Sequence, residues 1–364
     1  MRPLLQEIRH TPLLWLLAFV PALFLLQRTK PQAHTLLFGV SVLAIVPLAA
    51  LLSHATESVA VKTGDAVGGL LNATLGNLTE LVIALAALRA GEYTLVKASI
   101  AGAIVTNSLF MLGASFLLGG LRHHVQEYNR VNARLQAGLL FLATVALLVP
   151  SAVGGADGAS KNAFVTSLSL GLAVLLIVAY GLGLWFTLGT HPEIFTSVAH
   201  GEDEEAPWPL GLAFVTLAGV TLLVALVSEV FVESVQDAAV DLGMSQAFVG
   251  FIVVALVGAA AEMTSAFAGA RKNRLDLSVG IALGSASQIA LFVAPVLVLA
   301  SYVLGPAPMS LQFWPGAVVM MFIATMTAAL VTNSGKSAWF IGVLVLTVYL
   351  VFAMTLYLLP QSGT

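Results

Sequence analysis

Apolar runs of about twenty residues recur along this chain from residue 11 to residue 358, separated by short stretches of Gly, Pro and charge. As helix, a run of that length matches the hydrocarbon core of a bilayer. Backbone polar groups in hydrocarbon must be satisfied within the protein, which leaves helical spans or a closed barrel. A barrel would alternate in segments of about ten residues, and no such alternation is present. The chain is 59% hydrophobic and only 9% charged, against about 25% charged in soluble domains. It therefore reads as an all-α integral membrane protein. A net charge of −3 without any basic tract gives no support to a nucleic-acid partner. The absence of cysteine excludes disulfides, thiolate metal sites and thiol catalysis.

Punctuation by Gly, Pro and charge predicts eleven spans, near 11–27, 34–53, 66–89, 94–119, 131–150, 162–188, 208–232, 245–270, 275–300, 313–332 and 336–358. The fourth, with Gly113, Gly119 and Gly120, is a candidate for a bend. The first follows a charged start, but Gln27-Arg28-Thr29-Lys30 offers no small-residue cleavage site, so it reads as a retained span. With the N-terminus inside, 10 of the 15 Lys and Arg residues fall in inside segments, which predicts a cytoplasmic N-terminus and, after eleven spans, an outside C-terminus. The expected location is a prokaryotic cell (inner) membrane.

The longest polar connector, 191–207, contains Glu202-Asp203-Glu204-Glu205. It divides the chain into 34–190 and 208–364, with 1–33 as an extra N-terminal helix. A charge run of this kind reads first as a solvated linker, and more sharply as a weak cytoplasmic calcium-sensing or docking patch. The halves look related. The first holds Glu57-Ser-Val and then GGLLNATLGNLTE, ending at Glu80; the second holds Glu233-Ser-Val and then GFIVVALVGAAAE, ending at Glu262. Gly/Ser-rich spans follow each, 97–113 and 277–293. Ten spans split five plus five, and an odd number per repeat forces opposite orientations, an inverted repeat.

Glu80 and Glu262 each follow a glycine by four residues, Gly76 and Gly258, inside apolar spans. An ionisable group at membrane depth is a functional hypothesis by default. The structural alternative is a hydrogen bond between helices, and a matched pair argues against it. Asn77 and Glu80 are three apart and share a helix face. A helix weakened at glycine frees carbonyl oxygens, which are tolerated only where they line a cavity or bind an ion. Asn107, 27 residues after Glu80, and Gln288, 26 after Glu262, are candidate amide ligands from the following spans. Hard oxygen donors suit Ca²⁺, which takes six to eight of them, better than Zn²⁺. Two carboxylates match one divalent ion or two protons, and an empty, doubly ionised site is costly in a low dielectric. A site that must be filled to cross the membrane is an antiporter.

Glu57, Glu233 and His54 read either as a proton pathway from a vestibule or as interfacial helix ends. His123-His124 reads as solvent-exposed. The sequons at Asn72 and Asn77 fall within an apolar span where no glycan fits. The small residues of 97–113 and 277–293 are also expected of plain helix packing in lipid.

GGLLNATLGNLTELVIAL (68–85) with IAGAIVTNSLFMLG (100–113) resembles the first α-repeat of the calcium/proton exchangers of the calcium/cation antiporter superfamily. GAAAEMTSAFAGARKNRLDLSVGIALGSASQIALFVAPV (258–296) resembles the second. The stretch Tyr180–Phe195, ending Thr-His-Pro-Glu-Ile-Phe, and the acidic connector after it also look familial, so the resemblance spans nearly everything after residue 35. It implies eleven spans, an inverted five-plus-five core, and Glu80 and Glu262 alternately holding Ca²⁺ and protons. One position departs: the family's usual second motif is Gly-Asn-Ala-Ala-Glu, and Ala259 stands where that Asn would be. The expected function is secondary Ca²⁺/H⁺ antiport, with no enzymatic activity and no cofactor beyond the transported ions. The rivals are a Na⁺/Ca²⁺ or other cation exchanger of the same superfamily, a channel, and an intramembrane metal-dependent hydrolase; spans 66–89 and 245–270 hold no histidine for the last.

Overall fold

Nearly every apolar run becomes helix, because a helix satisfies its own backbone while presenting apolar side chains all round. The computed structural model describes residues 4, 7–9, 11–63, 65–153, 159–191 and 208–358. The acidic run 202–205 lies outside the described residues. In chain order the helices are α1 (Pro12–Thr29), α2 (His34–Thr63), α3 (Asp65–Leu75), α4 (Leu78–Arg89), α5 (Tyr93–His123), α6 (Arg130–Val153) and α7 (Ala159–Leu184, ending in a π turn, Trp185–Thr190). After the connector come α8 (Leu210–Asp241), α9 (Gln246–Gly258), α10 (Ala260–Arg271), α11 (Leu275–Leu304), α12 (Pro315–Ser334) and α13 (Trp339–Leu358).

Nine helices among the described residues are long and apolar enough to cross a bilayer, and α9 with α10, bent by 60°, makes a tenth. The expected span 66–89 is present as the shorter pair α3 and α4, interrupted at Gly76-Asn77. The fourth span, a candidate for a bend at Gly113, Gly119 and Gly120, runs as one helix, α5, with a π turn at Thr106–Met111. Helix α11 carries a π turn at the matching place, Ile289–Val293. Such turns admit one extra residue and cluster at functional sites.

A constant shift of 182 residues maps one set of elements on the other. Gly76 falls on Gly258, Glu80 on Glu262, Gly102 on Gly284 and Phe110 on Phe292. The helices after the two breaks, α4 and α10, correspond, as do α5 and α11.

Helix α5 is the most buried span, with 89% of its apolar window inside the protein. Helices α2 and α8 form a long antiparallel pair. The start of α2 meets the end of α8 through His34–Asp237 (3.4 Å) and Thr35 Oγ1–Asp241 Oδ2 (2.7 Å). At the other end, Trp208 rests on His54 with ring centroids 4.5 Å apart, and its backbone N–H donates to Ser58 Oγ.

The connections at the two faces differ. On the face bearing Arg122, Arg130, Arg271 and Arg274, strand β1 (Val125–Glu127) pairs antiparallel with β2 (Lys336–Ala338). There Lys336 Nζ lies 2.6 Å from Glu127 Oε1, and its charge and hydrogen bond hold the Glu127 carboxyl below the usual carboxylate range. On the opposite face, segment 305–314 runs extended across the helix ends. Alternate amides, of Met309, Leu311 and Phe313, donate to Ser301, Ser169 and Ser151 Oγ at 2.8, 2.9 and 2.8 Å. Ala307 is held by Tyr93 OH, and Ser310 by Lys97 Nζ at 3.3 Å.

Candidate cation site

The two helix breaks bring the acidic side chains inward. Asn77 and Ala259 occupy the breaks with φ of −97° and −79° and non-helical ψ, and α4 and α10 restart there with Glu80 and Glu262 in their first turns. A negative charge in the first turn of a helix is favoured by the exposed N–H groups and the helix dipole. The short side chain at 258 is required by contact: a Cβ built on Gly258 would lie 2.9 Å from Glu80 Cγ and 3.3 Å from its Oε1. Gly258 is thus the floor beneath the Glu80 carboxyl.

Around Glu262 the polar groups form a chain that crosses between the halves. Ser285 Oγ lies 2.5 Å from Glu262 Oε2 and 2.7 Å from Asn77 Oδ1. Asn77 Nδ2 donates to Gln288 Oε1 at 2.6 Å. A serine hydroxyl has one hydrogen and here faces two acceptors. That hydrogen serves one of the two, and a proton on Glu262, a vestibule water or a cation against the oxygens can meet the other. No group of three or more His, Asp or Glu side chains converges among the described residues. The available donors are carboxylate, amide and hydroxyl oxygens, the hard set that fits Ca²⁺ as cargo.

A cavity of about 560 Å³ leads from this cluster to the basic face. Glu262, Ser285, Gln288 and Gly76 line its inner end, and Asn129, Asn132, Arg274 and Asp276 its mouth. Asp276 also accepts the Asn129 backbone N–H. Glu80 faces elsewhere, into a cavity of about 20 Å³ walled mainly by Ile83, Ile100, Val254 and Ile289. Its Oε1 is buried and has no hydrogen-bond partner. Among the described residues, the cavity that reaches Glu262 opens on the basic face.

The remaining sequence candidates fall in different places. Gly76 packs toward Gln288 Oε1, with 3.7 Å from a Cβ built there. Asn107 is fully buried with both amide atoms unpartnered, and it does not line the vestibule. The 182-residue shift pairs Gln288 with Thr106, which meets Tyr349 OH at 3.4 Å, so Asn107 lies one residue, roughly 100°, round the helix from Gln288's counterpart. Glu57 lines the vestibule. Glu233 is exposed and lines none of the cavities described, and His54 is engaged with Trp208. His123 Nε2 contacts the Arg271 carbonyl oxygen at 3.0 Å. Ser285 escaped the sequence reading. Its signal was its place three residues before Gln288, on one helix face.

The sodium/calcium exchanger protein family matches residues 33–189 and 212–358. The chain belongs to this family. Among relatives of this exchanger chain, a Ca²⁺/H⁺ antiporter of Aphanothece halophytica is 38% identical over 366 residues, covering 97% of this chain and 98% of that protein. The Ca²⁺/H⁺ antiporter ChaA of Bacillus subtilis (strain 168) is 40% identical over 327 residues, covering 89% and 92%. Native YfkE superposes with a TM-score of 0.82 at 36% identity, covering 94% of this chain and 98% of that one. The H⁺/Ca²⁺ exchanger CAX shares the fold at a TM-score of 0.72 and 17% identity, covering 96% and 88%. Like the antiporters of Aphanothece halophytica and Bacillus subtilis, the chain is a multi-pass membrane protein and a secondary transporter.

Proposed function

We propose that the chain exports cytoplasmic Ca²⁺ in exchange for protons, in a prokaryotic cell membrane, with the basic face cytoplasmic. The observation that carries this is the cluster of carboxylate, hydroxyl and amide oxygens that Glu262, Ser285 and Asn77 bring together across the two halves, which a proton or a cation can bridge. The unpartnered Glu80 oxygen beside Gly258 supports the same reading, since it too is completed by a proton or a cation. Relatives of similar length named Ca²⁺/H⁺ antiporters agree with it. In this reading Ca²⁺ enters the vestibule from the cytoplasm past Glu57 and Asp276 and displaces protons from Glu262 and Glu80. The loaded site then changes its access, and protons return the site from the outside. Two carboxylates exchange two protons for one Ca²⁺ without net charge movement. The pH gradient then drives the cycle at about 1.4 kcal/mol per proton per unit. The architecture behind it is two inverted five-helix repeats, 34–190 and 208–364, preceded by an extra helix within 1–33 and joined by the connector 191–207.

The deciding experiment is ⁴⁵Ca²⁺ uptake into inside-out vesicles under an imposed pH gradient with Na⁺ absent. Uptake that collapses with a protonophore is expected. Uptake that requires Na⁺ would replace the proton reading with Na⁺/Ca²⁺ exchange, and Ca²⁺ flux with no counter-gradient would replace it with a channel.

A further inference from the structure

Helix α5 crosses the π turn Val249–Val254 of α9 at very close range. A Cβ built on Gly102 would overlap the Phe251 carbonyl oxygen and lie 2.5 Å from its Cα. One turn away, a Cβ built on Gly250 would lie 2.5 Å from Ala98 Cβ. This crossing stands beside Glu80 and leaves only the small cavity there. The 182-residue shift carries Ala98 to Gly280, Gly102 to Gly284, Gly250 to Gly68 and Phe251 to Gly69. The corresponding crossing, of α11 over α3, is open. Gly280 and Gly284 line the vestibule on one side, Asn72 and Gly76 on the other, and a Cβ built on Gly280 or Gly284 meets no atom within 4 Å.

We infer that in the opposite access state α11 closes onto α3, with Gly284 against the Gly69 carbonyl and Gly280 against Gly68, reproducing the Gly102–Phe251 and Ala98–Gly250 contacts while those part. This rests on the alternating-access reading above and names the seal that reading requires on the basic face. Leu188 covers the side-chain direction of Gly69, and Gly68 lies against the Ala60 carbonyl of α2, where its counterpart Gly250 faces Ala98, so closing this crossing also turns α3 away from α2. The plainer reading, that Gly280 and Gly284 only keep the vestibule wide, makes the two glycines equivalent.

The seal makes them unequal. Gly280 corresponds to Ala98, so its closed crossing has room for a methyl; Gly284 corresponds to Gly102, where none fits. Gly280→Ala is expected to transport within about twofold of the native chain. Gly284→Ala is expected to lose transport at least tenfold while folding normally and binding Ca²⁺ as tightly as the native chain. The chain contains no cysteine, so Asn72→Cys also serves as a single reporter on the vestibule wall. An impermeant maleimide applied from the basic face should label it several-fold faster in a Gly284→Ala background, and no faster in a Gly280→Ala background. Equal transport by the two alanine variants, or equal labelling in the two backgrounds, overturns the inference. Labelling needs no transported ion, so it reads closure even where the Ca²⁺/H⁺ assignment has failed.

Discussion

Glu80 and Glu262 hold matching places after matching helix breaks, yet their surroundings are opposite in kind. Glu262 meets a hydroxyl, shares a cluster with two amides and opens on about 560 Å³ of polar space. Glu80 has a glycine floor, apolar walls and an oxygen with no partner. The difference is partly sequence and partly state. Sequence puts Asn77 and Ser285 where the shifted positions hold Ala259 and Ala103, so the neutral oxygens gather on one side. State puts the vestibule on that same side. A two-fold arrangement of carboxylates can therefore carry a one-sided arrangement of helpers, and the acids need not be equivalent in binding.

The largest effect that tests this contrast is removal of either charge. Glu262→Gln and Glu80→Gln should each abolish exchange in vesicles. Ca²⁺ binding by the purified protein should fall by roughly 10²–10³ for Glu262→Gln, consistent with about 4 kcal/mol for a close unit charge at an effective dielectric of 20. A smaller fall is expected for Glu80→Gln, which leaves the polar cluster whole; identical losses would erase the distinction. Gly258→Ala comes next. Its methyl must displace the Glu80 carboxyl, and a roughly tenfold fall in transport with little change in vestibule labelling is expected. Asn77→Ala removes the group that joins Ser285 to Gln288. Leaving buried partners unmet costs about 1–3 kcal/mol, so Ca²⁺ affinity should drop five- to a hundredfold in calorimetric titration. The smallest effect belongs to the exposed Glu127–Lys336 pair. The Glu127 carboxyl is held below its ordinary range, so whatever the pair contributes is present above that range and lost as pH falls through the lowered value. Exposed pairs contribute little, and Glu127→Gln should leave the unfolding midpoint unchanged at neutral pH.

The sequence disclosed most where chemistry is costly. Carboxylates in apolar spans and glycines four residues before them stand out because hydrocarbon punishes both charge and unpaired backbone, and the breaks at Asn77 and Ala259 sit where those glycines pointed. Spacing was less reliable. Counting from the glutamates suggested Asn107 as the partner of Gln288, but a π turn begins at Thr106 and a slip of one residue turns a side chain by roughly 100°. Ser285 was hidden among small residues that serve equally for packing. Gly258, expected to free carbonyls for an ion, proves also to make room for Glu80 across the break. That contact joins residues far apart in sequence, and no local pattern announces it.

The strap at 305–314 has a meaning for how the molecule resists wear. Segment 305–314 joins α11 to α12 without a helix of its own, and such surface connections are where proteases cut. Instead its alternate amides are held as an edge strand's would be, by three serines standing on three different helices. Deuterium should accordingly be slow to reach Met309, Leu311 and Phe313, and the loop should survive proteolysis that its place at the surface invites.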